Sequence, residues 1–104
     1  MTKKRNFIQE FMRIINLIAE TIEHEDVCGN INVDLNGDIL NITTEQGVFV
    51  INKQSFTKEI WLSSPISGPH HFSYDGKIWR SKAGLELFEL LSTDLNMSIK
   101  DSHD

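Results

Sequence analysis

"FVINKQSFTKEIWLSSPISGPHHF", residues 49–72, is the stretch whose spacing decides the architecture. Within it Lys58-Glu59-Ile60-Trp61-Leu62-Ser63 alternates with a period of two. That period places Ile60 and Leu62 on one face of a strand and Glu59, Trp61 and Ser63 on the other. The largest apolar side chain therefore sits with the polar ones. Upstream, residues 48–52 read as a strand and 53–57 as a turn. Downstream, Ser64-Pro65-Ile66-Ser67-Gly68-Pro69 reads as a loop, and residues 70–74 and 78–80 as a hairpin around Asp75-Gly76.

Working outward toward the N-terminus, residues 39–44 and 31–35 form a further hairpin closed by Asn36-Gly37-Asp38, and Glu45-Gln46-Gly47 turns the chain into the next strand. Ile31, Val33 and Leu35 share one face, with Asn32 and Asp34 on the other. Before a joint at 27–30, residues 7 to about 25 have helical periodicity. Phe7, Ile8, Phe11, Met12, Ile14, Ile15, Ile18, Ala19 and Ile22 fill one arc, while Glu10, Arg13, Asn16, Glu20, Glu23 and His24 fill the opposite one. Leu17 alone is out of place.

Toward the C-terminus, Ser81 reads as an N-cap, and Leu85, Leu87, Phe88, Leu91 and Leu95 as the stripe of a second helix over about 83–98. The polar residues 100–104 are expected to fray. Helix, about six strands, helix implies one α+β domain over residues 1–104: a two-layer sandwich with both helices on one face of an antiparallel sheet. The Trp61 face would then be the uncovered one. Hiding an indole of at least about 150 Å² would contribute several kcal/mol. Trp61 is therefore either a partner's anchor or packed under the 64–69 loop.

Composition narrows the classes. The chain has 104 residues and 39% hydrophobic content, enough for one core. No stretch approaches the roughly 18 uninterrupted apolar residues of a membrane span. Fifteen acids against ten bases give a net charge of −5, which repels phosphate backbones, and the only basic cluster is Lys3-Lys4-Arg5. Neither nucleic acid nor membrane is expected as a partner. The single cysteine, Cys28, cannot form an internal disulfide, so a reducing compartment, the cytoplasm, is the expectation.

Two groups of residues carry chemistry. The acids are Glu10, Glu20 and Glu23 with His24 on the outer arc of the first helix, Glu25 and Asp26 at its end, and Asp34 on the first strand. Glu20, Glu23 and His24 are neighbours at i, i+3 and i+4. Carboxylate oxygens suit iron, manganese, calcium or magnesium, and an imidazole favours a transition metal. A charged outer arc is equally what any amphipathic helix needs, so a site here would be shallow, hydrated and weak. The second group is the sheet patch of Asn52, Gln54, Trp61 and His71. His70 and His71 point to opposite faces and cannot chelate one ion together. His103 is given no role. No Ser-His-Asp, Gly-rich phosphate-loop, CxxC or HExxH pattern is present, which points to binding rather than covalent chemistry.

The segments Ile51-Asn52-Lys53-Gln54, Ile60-Trp61-Leu62-Ser63-Ser64-Pro65 and Ser67-Gly68-Pro69 together resemble the frataxin family, whose bacterial members are called CyaY. The helix, strands, helix order extends the likeness over about residues 7 to 96. The resemblance implies an iron-binding accessory and regulatory protein of iron–sulfur cluster assembly, acting on a cysteine desulfurase and its iron–sulfur scaffold protein. It implies weakly held ferrous or ferric iron at positions equivalent to Glu10, Glu20, Glu23, His24, Asp26 and Asp34. Asn52, Gln54 and Trp61 match the family's partner-contact surface, with His71 beside them. No enzymatic activity is expected, and the alternative is ferroxidase-like iron oxidation with storage in oligomers. A monomer is expected, with iron-dependent oligomers as the variant. The chain departs from the pattern where His24 replaces a frequent acid and where Asn16 and Asn32 replace frequent aspartates. Ser55-Phe56 also replaces a proline or charge, leaving Phe56 as a second exposed aromatic.

Overall fold

The computed structural model describes residues 6–101; Lys3-Lys4-Arg5 and His103 lie outside the described residues. The first helix, α1 (Phe7–Glu25), starts at a capping box. Asn6 Oδ1 accepts the Gln9 N–H at 2.8 Å and Gln9 Oε1 accepts the Asn6 N–H at 3.2 Å, which satisfies two of the donors a helix start leaves bare. Its inner arc buries Phe11, Ile14, Ile15, Ile18, Ala19 and Ile22. Ile8, expected in that arc, lies at its exposed margin, while Leu17, expected outside it, packs against the core.

Six strands follow: β1 (Asn32–Asn36), β2 (Ile39–Thr44), β3 (Gly47–Gln54), β4 (Glu59–Ser64), β5 (Gly68–Tyr74) and β6 (Trp79–Ser81). Each pairs antiparallel with the next in chain order. Leu40, Ile42, Phe49, Ile51, Ile60, Leu62, Phe72 and Trp79 form the inner face, and they join one buried cluster with α1 and with the second helix, α2 (Leu87–Leu95). This is the expected two-layer α+β sandwich, with both helices over the same side. Among the described residues no helix is long and apolar enough to cross a membrane.

Several boundaries differ from expectation, each for a local reason. β3 runs on through Gln54, so the turn shortens to residues 55–58 and Lys58 adopts a φ of 57°. The 64–69 loop shrinks to residues 65–67, because Ser64 and Gly68 are already paired. Ser81 does not cap α2. It ends β6, its N–H donates to the Leu85 carbonyl at 2.9 Å, and its hydroxyl accepts the Leu85 N–H at 3.2 Å, closing a turn through Gly84 at φ +87°. The cap is Glu86, whose carboxylate accepts the Phe88 and Glu89 N–H groups at 3.0 and 2.9 Å. Leu85 therefore lies outside the helix, 41% exposed.

After α2, Asn96 takes the left-handed conformation and turns the chain back along the helix. The Ser92 hydroxyl donates to the Ile99 carbonyl at 3.0 Å and accepts the Ile99 N–H at 2.9 Å, seating Ile99 in the core at 2% exposure. Asp101, expected to fray, is instead gripped by Arg13 of α1 at 2.7 and 3.0 Å. At the opposite corner Gly47 (φ +131°) faces Pro65. A Cβ on Gly47 would lie 2.7 Å from the proline Cβ, so only glycine lets the β2–β3 turn meet the β4–β5 turn.

Candidate functional site

The uncovered face of the sheet is organised by register. Ile39 pairs with Asn52, Asn52 with Trp61, and Trp61 with His71, which makes one transverse row across β2, β3, β4 and β5. All four share the parity opposite to the core, and Gln54 extends the patch one outward step along β3, opposite Glu59.

Trp61 at the row's centre is half-buried and held from two directions. Its ring stacks on His71, with centroids 4.1 Å apart and planes within 6°. Its Nε1–H donates to Glu59 Oε1 at 2.9 Å, and that oxygen also accepts the Thr57 hydroxyl at 3.0 Å. The bond from Trp61 holds the Glu59 carboxyl below its ordinary range, Thr57 and the electrostatic influence of nearby His71 and Lys82 add to the effect, and desolvation opposes it. What covers one face of the indole is thus His71, while the turn at 65–67 engages α2. Phe56, at the tip of the β3–β4 turn, is 95% exposed. Ile39 was missed by inspection of β4 alone, and carrying the outward parity across the hairpins would have found it; Glu59 was read onto the Trp61 face, but its bond to the indole was not foreseen.

The acids are spread over three settings. Glu10 is bonded by Arg13 at 2.6 and 3.1 Å, and the same guanidinium grips Asp101. These bonds, Asp101's first and Glu10's second, hold the Arg13 proton more firmly than usual. Asp26 closes the α1–β1 joint, its carboxylate accepting the Asn30 and Ile31 N–H groups at 3.1 and 2.8 Å. Glu20, Glu23 and His24 are exposed on the outer arc of α1. Asp34 is exposed on the outward face of β1, opposite Asn41. Among the described residues no three His, Cys, Asp or Glu side chains converge as a metal-holding group. Hard oxygen donors of this kind fit an iron ion as a hydrated cargo at the surface, with Glu10 and Asp26 already engaged in protein bonds. Cys28 is exposed in the α1–β1 joint.

One cluster has no counterpart in the sequence reading. The Ser64 and Ser67 hydroxyls both donate to Asp94 Oδ2 of α2, at 2.7 and 2.5 Å, and Ser67 Oγ lies 2.8 Å from His70 Nε2. Ser64 Oγ also accepts the Ile66 and Ser67 N–H groups at 3.0 and 3.2 Å. Although serine, histidine and aspartate meet here, the hydroxyl sits between imidazole and carboxylate. A nucleophilic triad needs the imidazole in the middle. The arrangement is a structural tie between the β4–β5 turn and α2, and its members lie too far apart in sequence for spacing to reveal it.

This architecture is similar to that of frataxin from Psychromonas ingrahamii, with a TM-score of 0.78 and 24% identity over 93% of this chain and 95% of that one. It is also similar to the trimeric frataxin of the yeast Saccharomyces cerevisiae complexed with ferrous iron, with a TM-score of 0.72 and 27% identity over 97% and 92% of the two chains. A further yeast frataxin structure matches with a TM-score of 0.73 and 26% identity, over 93% of this chain and 83% of that one. The family pattern of the frataxin-like domain runs through residues 1–101. An α+β sandwich of this order, matched by that pattern over nearly the whole chain, makes this chain a member of the frataxin family.

Proposed function

We propose that this protein is an iron-binding accessory protein of iron–sulfur cluster assembly that docks on a cysteine desulfurase and its scaffold protein. Membership of the frataxin family supports an iron-related role in that process. The observation that carries the docking reading is the pre-set Trp61, stacked on His71 and bonded to Glu59 in the middle of an otherwise uncovered row. An ordered aromatic loses little freedom on binding, and buried tryptophans dominate interface energetics. The exposed acids Glu20, Glu23 and Asp34 with His24 supply a negative surface for hydrated iron and for a basic partner, and the net charge of −5 works in the same direction. Iron is cargo or signal here, held weakly. The protein acts as a monomer in the bacterial cytoplasm, with an iron-dependent oligomer as the variant to be checked by sizing columns; the yeast relative is trimeric in its complex with ferrous iron.

Oxidising iron at a two-ion centre would require carboxylates clustered around ions roughly 4 Å apart. The dispersal of these acids, with Glu10 tied to Arg13 and Asp26 to backbone, favours the accessory role over a ferroxidase.

The deciding experiment is capture of the desulfurase–scaffold complex by wild type and Trp61→Ala. The variant should retain its circular dichroism and lose about tenfold or more in affinity; unchanged capture would remove the sheet face from the proposal. Charge reversal at Glu20 and Glu23 should weaken association most at low salt. Oxygen-dependent iron oxidation that falls in the Glu20/Glu23 double variant would instead favour the ferroxidase.

A further inference from the structure

We infer that Asp94, on the helical layer, is a positioning residue for the docking face on the other side of the sheet. The inference rests on the docking reading above.

The tie it makes is unusually complete for one carboxylate. Oδ2 receives two hydroxyl protons, from Ser64 at 2.7 Å and Ser67 at 2.5 Å, so both ends of the β4–β5 turn hang on one atom of α2. Ser64 is 6% exposed and uses its hydroxyl fully, donating to Asp94 and accepting two turn N–H groups. Because the single Ser67 proton goes to Asp94, the 2.8 Å contact with His70 has Nε2–H as donor, which extends the tie into β5. Charge-assisted bonds of this kind are short and directional.

The hairpin so anchored carries the anchor of the docking row. Counting outward from the turn, Ser63 pairs with Pro69, Leu62 with His70 and Trp61 with His71. The Trp61–His71 stack spans the two arms of that hairpin three residue pairs from the tie, and its separation of 4.1 Å depends on the arms keeping their spacing and twist. Asp94 lies in the last turn of α2, where the helix dipole disfavours an acid and where no basic residue offsets it. An aspartate at that position is a local cost to the helix, offset by its bonds to the hairpin.

The test uses the two tryptophans as reporter and control. In the free full-length protein, 15N relaxation of the indole N–H groups should give rigid order parameters, about 0.85, for both Trp61 and Trp79. Asp94→Ala should lower Trp61 below about 0.6 and leave Trp79, which is 4% exposed in the inner layer, unchanged. Asp94→Asn, which keeps an oxygen able to accept both hydroxyl protons, should restore Trp61 order. Affinity for the desulfurase complex should fall about tenfold in Asp94→Ala through faster dissociation. If Trp61 stays as ordered as Trp79, or if both indoles loosen together, the inference is overturned. Ser67→Ala serves as the second variant should Asp94→Ala fail to fold. Order is measured without a partner, so its outcome is independent of the Trp61→Ala capture that decides docking itself.

Discussion

Replacing Ile99 by alanine should destabilise the protein by about 3 kcal/mol, a large share of the usual 5–15 kcal/mol for a domain. Ile99 sits at 2% exposure in the same buried cluster as α1, the sheet and α2. The substitution removes three carbon atoms, each worth roughly 0.8 kcal/mol in transfer out of water, and adds a cavity term. The site lies on a terminal strap rather than a central strand, so the chain can sink partly into the void, which keeps the cost near the lower end of the 2–5 kcal/mol range for such truncations. Urea unfolding at pH 7 should show a lower midpoint with an unchanged slope, and thermal melting a fall of about 15 °C. Ser92→Ala removes the two bonds that seat Ile99 and should cost about half as much. A loss below about 0.5 kcal/mol for Ile99→Ala would refute a docked strap, since that is the range of ordinary surface substitutions.

Other outcomes can be checked by the same unfolding assays. Gly47→Ala should cost about 2 kcal/mol, from a positive φ and the contact with Pro65, whereas Gly37→Ala meets no atom within 4 Å and should cost less. Asp26→Ala removes the acceptor for the Asn30 and Ile31 N–H groups and should cost about 1–2 kcal/mol, visible as a lower melting temperature. The Asp75 carboxyl is pulled down to about 2, chiefly by bonds from the Ile78 and Lys77 N–H groups. A lowered value means that its stabilisation is present above the ordinary carboxylate range and is lost as pH falls toward about 2. The stability gap between wild type and Asp75→Asn should therefore be open at pH 7 and closed at low pH; a gap constant across the titration would refute the assignment.

Short-range pattern was legible wherever one physical period governed it. The two-residue alternation at Lys58 to Ser63 placed Ile60 and Leu62 inside and Trp61 outside, and the 3.6-residue period of α1 picked out Phe11, Ile14, Ile15, Ile18, Ala19 and Ile22 as buried. Where two local signals competed, the weaker-looking one won. Ser81 is a better cap by type than Glu86, yet Gly84 breaks the helical run between them and leaves the cap to the glutamate. Contacts between distant segments were not legible at all. Asp94 is 27 residues from Ser67, and Asp101 is 88 from Arg13, and no period links either pair. The same blindness touches the acids: Arg13 beside Glu10 is visible at i+3, but that its guanidinium also grips Asp101, and that Asp26 is spent on the joint, requires the fold.

The transverse row from Ile39 to His71 is positioned by neighbours that face the other way. Leu40, Ile51, Ile60 and Phe72 set the strand registers from within, and alternation turns each adjoining residue outward. Selection for foldability thus acts on one set of positions and selection for recognition on the set interleaved with it. The outward letters are free to drift toward a new surface while the scaffold stands still. Insertion of a single residue within β4 is the one kind of change that couples the two histories, because it would send Trp61 inward and Ile60 or Leu62 out to solvent in the same step.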